Sequence, residues 1–381
     1  MKNLSREGIT KAGYFVFISI IWLVIGWTLR SQLIPQELPL AAQVNEVIQR
    51  DFPGDVPSQE ALSFAAVQGM LSVIDDPFAV VIPPPHSLKF EADQAGETGV
   101  VGLVPGINEA GQMYIDTVIP GSTADEAGVQ VGDILNSIDG VPVNAATTPA
   151  GSMLLFRGPV GKPADLVIER NGQILTFSPL RVERAALEWE VLEGGVGYIA
   201  QYTFTTNVPQ LFEEALTAIM ATNPPAIIWD VRFNGGGSMR VAQELLSNFV
   251  ADGELFHVIL KDDETHVFAA AGDALAPDVP LYILVNDFSF SAAETVASTI
   301  QEVGRGTTVG STTFGKGSVQ NTVPLSDDYI FEYTIGHWTT PEGVSYEGVG
   351  FIPAVTAPDN PDTAVDETLE AALQLIAGDG G

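Results

Sequence analysis

Three short stretches carry the residue types from which acyl-transfer chemistry is built. Ser291 follows the apolar run Leu281–Val285 and opens Ala292–Val303, a helical pattern that Gly304 terminates. A hydroxyl at such a strand-to-helix turn lies near the positive end of the helix dipole, where backbone N–H groups hold developing negative charge. Serine is also a common helix cap, so Ser289 or Ser291 there equally reads as a capping residue. Lys316 shifts the balance. It is one of six lysines, none follows it, and "TFGKGSV" surrounds it with small uncharged neighbours. A serine hydroxyl is a weak nucleophile until something takes its proton, and a neutral amine can do so. Burial disfavours the ammonium form, and Ser–Lys pairs are one variant of the Ser–His–Asp arrangement.

The third stretch is "WDVRFNGGGSM", Trp229–Met239, where a strand pattern runs into three glycines and then a helix. Backbone without side chains approaches a ligand closely and presents its N–H groups. A phosphate cradle is the rival reading, but neither G-x-x-x-x-G-K-[ST] nor G-x-G-x-x-G is present. An oxyanion hole fits better, with one N–H from Gly236 or Gly237 and a second from Ala292. His86, His257, His266 and His337 form no ligand-spaced pair and read as structural, with a spatially assembled Ser–His pair as the rival, and no metal is implied. Many carboxylates leave a two-carboxylate glycosidase formally open, with no pair singled out.

These residues need a scaffold. From about Glu188 strand and helix patterns alternate: "VGYIAQY", "VPQLFEEALTAIM", "AIIWDVRF", "MRVAQELLSNFV", "LYILV" and "AAETVASTIQEV". The alternation predicts an α/β layer with parallel strands under helices. From Gly96 the runs "GVVGLV", "MYIDTVI", "DILNSIDGVPV", "ADLVIER" and "ILTFSPLRV" are short, strand-like and separated by glycine turns. They predict a strand-rich domain of about ninety residues. Before it, "AAQVNEVIQRDF" and "SQEALSFAAVQGMLSVI" have helical spacing and end at the Pro83–Pro85 run. A final helix, "VDETLEAALQLIA", precedes a Gly/Asp tail.

Composition narrows the rest. The chain of 381 residues has no cysteine, which excludes disulfides, thiolate metal sites and a cysteine nucleophile. Its net charge is -32, and residues 31–381 alone carry 12 basic against 47 acidic side chains. Such a surface repels nucleic acid and anionic headgroups. Ala12–Leu29 holds 18 residues without a charge, long enough to cross a bilayer as a helix. Lys2, Arg6 and Lys11 precede it and only Arg30 directly follows, which puts the N-terminus in the cytoplasm. "RSQLIPQ" offers no small-x-small cleavage site, so an uncleaved anchor is expected. A cleaved signal peptide is the rival, and in either case most of the chain is extracytoplasmic.

Taken in order, the motifs resemble those of the C-terminal processing peptidases, the tail-specific serine proteases of family S41. The resemblance runs from about Ala42 to the last helix. It covers "AAVQGMLSVIDDPFAVVIPP", "TVIPGSTADEAGVQVGDILNSIDGVPV", "DVRFNGGG", "VNDFSFSAAE", "VGSTTFGKGSVQ" and "TPEGVSYEGVGFIPAV". By position it implies Ser291 as nucleophile, Lys316 as general base and Gln320 as the residue that orients the amine. It also implies a crotonase-like (ClpP/crotonase) α/β protease core with an inserted PDZ-like domain and a small N-terminal helical segment. A PDZ-like module binds peptide ends along a strand edge and holds the carboxylate with backbone N–H groups. Here the matching segment is Gly99, Val100, Val101 and Gly102, with Val101 where the family usually has a second glycine. Ala354 in "GFIPAV" is another departure. Arg157, in "LLFRGPVG", is a candidate link between module position and Lys316–Gln320, or else a surface arginine paired with a carboxylate.

The expected organisation is an anchor over 1–30, a helical segment over 31–95, the PDZ-like domain over 96–184, the protease core over 185–357, and a C-terminal helix and tail over 358–381. The expected activity is endoproteolysis of protein C-terminal tails through an acyl-enzyme, without cofactor or metal. The alternative is a catalytically silent scaffold, although an inert descendant would be expected to lose the serine or the lysine.

Overall fold

The computed structural model describes residues 39–74, 76, 78–84, 87, 92, 97–108, 110–143, 155–183, 185–272, 274–360, 363 and 365–379. The apolar run Ala12–Leu29 and His86 lie outside the described residues. Among the described residues no helix is long and apolar enough to cross a membrane.

The chain divides into two units, residues 1–70 and 71–381. The first holds helix α1 (Pro39–Asp51) and most of α2 (Gln59–Leu71). Proline is tolerated in a first turn, and the Ser58 hydroxyl caps α2 by accepting from the Ala61 N–H at 3.1 Å. Neither helix buries a residue.

The second unit opens with β1 (Val80–Ile82) and then a small antiparallel sheet. Its elements are β2 (Leu103–Ile107), β3 (Met113–Val118), α3 (Thr123–Ala127), β4 (Ile134–Ile138), β5 (Val141–Pro142), β6 (Leu166–Arg170) and β7 (Gln173–Phe177). The strand order is β2-β3-β4-β6-β7, with β5 paired to β4. Two hairpins turn on Asp139–Gly140 and Asn171–Gly172, all four residues at positive φ, the turn chemistry that Asp-Gly and Asn-Gly favour. Met113, Ile115, Leu135, Ile138, Leu166 and Ile168 point inward onto Ala124, Val129 and Phe156. The strand expected over "GVVGLV" begins only at Leu103, because Gly102 at φ 83° breaks the extended run.

The remaining elements are β8 (Leu187–Val191), β9 (Gly197–Gln201), α4 (Val208–Met220), β10 (Ile227–Asp230), α5 (Met239–Leu246), β11 (Glu254–Leu260) and β12 (Thr265–Ala269). Then come β13 (Leu281–Val285), α6 (Ala292–Glu302), β14 (Thr307–Gly310), β15 (Ser318–Pro324), β16 (Ile330–Thr339), β17 (Val355–Thr356) and α7 (Glu367–Asp379). One six-stranded sheet has the order β17-β14-β13-β10-β9-β8 and is parallel throughout except where β8 meets β9. Its central strands β10 and β13 are buried at every position because both faces are covered. Ile227, Trp229, Ile283 and Val285 pack against α4, α5 and α6 on one side. Ile228, Tyr282, Leu284 and Val309 pack against α7 on the other.

A second, antiparallel sheet runs β1-β16-β11-β12, with β15 also on β16. The alternation of strands and helices predicted the parallel layer but not this sheet. Its pairings are non-local: Val80 of β1 sits opposite Glu332 of β16.

Candidate active site

The carboxyl ends of three adjacent parallel strands, β10, β13 and β14, deliver three loops to one place. In such sheets ligands bind beyond those ends. After β13, Ser289 and Ser291 part company. Ser289 is fully buried, donates its hydroxyl to Val231 O at 2.8 Å and accepts from the Asn286 N–H at 3.1 Å. Its role is structural, and the N-cap of α6 is Ser291. Ser291, 9 % exposed, sits at the start of α6 with φ 50° and ψ -112°. That conformation costs a non-glycine residue about 1–3 kcal/mol and persists only where the surroundings enforce it.

Glu294 supplies much of the enforcement. Its fully buried carboxylate accepts from the N–H of Ser291 at 2.8 Å, the N–H of Lys316 at 2.8 Å, the N–H of Gly315 at 2.6 Å and the Thr313 hydroxyl at 2.6 Å. Ser291 N and Lys316 N both bond to the same oxygen, Oε2, so the two backbones lie within twice 2.8 Å of each other. Burial pushes the Glu294 carboxyl above its ordinary range, and the four donors pull it back part of the way. The Ser-x-x-Glu spacing of a capping box was visible in the sequence.

Lys316 lies on the loop between β14 and β15. Its carbonyl accepts from Trp338 Nε1 at 3.0 Å, and the next residue, Gly317, donates its N–H to Glu347 Oε2 at 2.7 Å. The side chain is half-buried. Nζ donates to Gln320 Oε1 at 2.6 Å and to Ser318 O at 3.4 Å, and lies 4.6 Å from the centre of the Phe78 ring. Ser291 is not among its hydrogen-bond partners. Burial holds the Lys316 amine below the usual lysine range, opposed by the nearby carboxylates of Glu332, Glu347, Glu294 and Asp76.

The glycine loop follows β10. Asn234 anchors it, donating to Gln201 O at 2.8 Å, while its own carbonyl accepts from the Phe290 N–H at 3.0 Å. Gly236 has φ 79°, and a Cβ there would stand 3.0 Å from Ser291 Cβ and 3.2 Å from Ala292 N. The glycines therefore lie against the serine turn. The Gly236 N–H, however, already donates to Asn234 Oδ1 at 2.9 Å, because the turn folds this amide back on its own anchor. Gly236 is thus committed to Asn234, which leaves the neighbouring Gly237, at φ 142°, as the glycine-loop candidate.

The peptide-tail segment needs a similar correction. The Gly99 N–H donates to Gly158 O at 2.8 Å and the Val100 N–H to Val182 O at 3.0 Å, so bridge pairing consumes both. Val101 and Gly102 remain. Their carbonyls are tied to the Ala124 and Ile119 amides, which leaves the loop fixed with its N–H side uncommitted. A cavity of about 170 Å³ is lined by Val100, Val101, Gly102, Arg157, Gly235 and Gly236, among others. Arg157 thus borders both the small sheet and the glycine loop, while Lys316 and Gln320 take their own partners elsewhere.

Sequence reasoning missed the Asp230–Arg232 pair. Arg232 is buried, binds Asp230 at 2.7 Å, and also reaches Asp366 at 2.8 Å and Asp359 at 2.9 Å. This pins the start of α7 beside the glycine loop. His257 bonds Glu254, and His266 meets Phe268 edge-on; neither belongs to the site. Among the described residues no group of His, Asp or Glu is placed to hold a metal ion.

Residues 195–357 match the model of Peptidase family S41, and residues 114–170 match that of the PDZ domain. The chloroplastic C-terminal processing peptidase of Tetradesmus obliquus is 28 % identical over 78 % of this chain and 68 % of that protein. The carboxyl-terminal-processing protease of Synechocystis is 28 % identical over 83 % of this chain and 77 % of that protein. The solved photosystem II D1 C-terminal processing protease shares the fold, with a TM-score of 0.65 at 24 % identity over 88 % of this chain and 90 % of that one. Residues 195–357 thus form a Peptidase family S41 domain and residues 114–170 a PDZ domain, the make-up of a serine protease of the C-terminal processing kind.

Proposed function

We propose that the chain cleaves proteins near their C-terminal tails with Ser291 as nucleophile and Lys316 as general base. The observation that carries this reading is the single Glu294 oxygen that gathers the Ser291 and Lys316 amides. From that anchor a lysine arm can swing its amine from Gln320 to the serine hydroxyl, and hydrogen bonds of this kind often tighten only when substrate is bound.

In the first step Ser291 Oγ attacks the peptide carbonyl carbon while the neutral Lys316 amine takes its proton. The carbonyl oxygen becomes an oxyanion held by the Gly237 and Ala292 N–H groups at the head of α6. Collapse expels the amine of the C-terminal fragment, which takes the proton from the Lys316 ammonium. Water, deprotonated by the same amine, then attacks the acyl-enzyme, and the Lys316 ammonium returns that proton to Ser291 Oγ as the acyl group leaves as the acid. Gln320 accepts one amine N–H and so aims the remaining lone pair. Tail capture falls to the Val101 and Gly102 amides, with Arg157 as the candidate link to the glycine loop.

The core over 185–357 is read as crotonase-like, the PDZ domain as 96–184, the helical segment as 31–95 and the C-terminal helix and tail as 358–381. Residues 1–30 are read as an anchor that leaves the bulk of the chain on the extracytoplasmic face. The test is to incubate the chain with an unstructured protein bearing an apolar C-terminus, beside Ser291→Ala and Lys316→Ala. Cleavage confined to the unmodified chain supports the dyad. Cleavage that persists in either variant refutes it, and absence in all three favours a scaffold.

A further inference from the structure

Beyond the lysine, a polar chain continues to a segment that has no part in the acyl-transfer steps. Gln320 Nε2 donates to Thr334 Oγ1 at 3.1 Å and to Ser318 Oγ at 3.2 Å. Thr334 donates its hydroxyl to Asp76 Oδ1 and its N–H to Asp76 Oδ2, both at 2.9 Å. The Phe78 N–H also donates to Asp76 Oδ1 at 2.9 Å, and the Phe78 ring faces Lys316 Nζ. Three donors thus converge on one half-buried carboxylate. The antiparallel pairing of β1 with β16, Val80 opposite Glu332, fixes this segment two strand steps from Thr334.

The direction of each bond matters more than its strength. A carboxylate only accepts, so Asp76 forces the Thr334 hydroxyl proton toward itself. The threonine oxygen is then left as an acceptor, and only the Nε2 side of the Gln320 amide can face it. That leaves Oε1 toward the amine, where it takes an N–H and does not touch the lone pair. A flipped amide would donate Nε2–H to that lone pair and occupy the electrons a base must use. We propose that Asp76 is a positioning residue which, through Thr334, fixes the Gln320 amide so that the Lys316 lone pair stays open to the Ser291 hydroxyl. The inference rests on the Ser291–Lys316 reading and assigns the "DDPF" segment a role in it.

The charged groups facing the amine are Glu332, Glu347, Glu294 and Asp76, and burial opposes all four. Asp76→Asn removes one of these charges and frees the amide to flip, and both changes favour the neutral amine. The acid limb of the pH–rate profile should therefore move to lower pH while the plateau falls.

The test uses the full chain and an unstructured peptide with an apolar C-terminus. The variants are Asp76→Asn, Thr334→Val, Thr334→Ser and the Asp76→Asn/Thr334→Val double. Asp76→Asn and Thr334→Val should each lower kcat by about tenfold to a hundredfold with KM little changed, the scale of a misplaced catalytic group. The double variant should lose no more than the worse single, because both break one chain of bonds. Thr334→Ser keeps the hydroxyl and should restore activity. Where Asp76→Asn folds poorly, the Thr334→Val and Thr334→Ser pair decides. Nitrogen-15 spectra of the six lysine side chains give a readout independent of turnover, with Lys316 titrating lower in Asp76→Asn. Wild-type kcat in Asp76→Asn, multiplying losses in the double variant, or an unmoved acid limb overturns the proposal. If Lys316→Ala still cleaves, the dyad itself fails. If Lys316→Ala is dead and Asp76→Asn keeps the unmodified kcat, only the positioning role fails.

Discussion

Replacing Glu294 by glutamine changes almost no volume, yet it should disable the site. The carboxylate accepts four hydrogen bonds, two on each oxygen. An amide has one acceptor oxygen, so two of the four donors must face an NH₂ group. Each buried donor left unsatisfied costs about 1–3 kcal/mol, hence about 2–6 kcal/mol for the pair. A domain holds about 5–15 kcal/mol of stability, so the variant should fold but melt earlier, on the order of 10 °C lower. If the oxygen stays with Thr313 and Gly315, the NH₂ is thrust at the Ser291 and Lys316 amides. Ser291 then loses the bond that holds its strained φ, and a displacement of about 1 Å costs on the order of a hundredfold in rate. The assay is kcat on a tail-bearing unstructured peptide together with thermal unfolding. A Glu294→Gln variant with kcat within twofold of the unmodified chain and an unchanged melting temperature would refute the reasoning.

Four further outcomes follow from the geometry. Because burial depresses the Lys316 amine and only its neutral form is a base, kcat/KM should rise with pH through that depressed value, and a flat profile contradicts this. The linked stability has the same sign: below the folded-state value the buried ammonium is a cost, relieved as pH rises toward the ordinary lysine range. Lys316→Met should therefore melt higher than the unmodified chain in mildly acidic buffer, with the gap closing at alkaline pH, as calorimetry across pH would show. Gly236→Ala places a Cβ 2.9 Å from Phe290 O and 3.0 Å from Ser291 Cβ at φ 79°, so kcat should collapse while circular dichroism stays native. Gly102→Ala puts a Cβ 2.2 Å from Ser122 Cβ, which should weaken tail-peptide binding in calorimetric titration and raise KM more than it lowers kcat.

Local chemistry makes much of this legible in the sequence itself. Asp139–Gly140 and Asn171–Gly172 announce hairpins, apolar runs such as Leu281–Val285 announce strands buried on both faces, and Gly304 ends a helix where it should. Ser291 and Lys316 stand out by residue type. What stayed hidden depends on pairing between distant segments. Thr334 and Asp76 are 258 residues apart, and nothing in either neighbourhood says that they meet. The Gly99, Val100 and Gly236 amides looked available because sequence does not say which N–H groups a bridge or an Asn side chain will claim. Glu294 lies between these cases. Its spacing from Ser291 signals a capping box, whereas its bonds to Gly315 and Lys316 require the β14–β15 loop to fold back onto α6.

The central claim is a covalent one, that substrate passes through an ester on Ser291 formed while Lys316 holds its proton. Rapid acid quenching of the chain mixed with a tail-bearing substrate, followed by mass spectrometry of the digested protein, reads it directly. The expected result is the acyl fragment on the peptide that contains Ser291, absent from Ser291→Ala and strongly diminished in Lys316→Ala. Acylation of a different residue, or an undiminished adduct without the lysine, would contradict it.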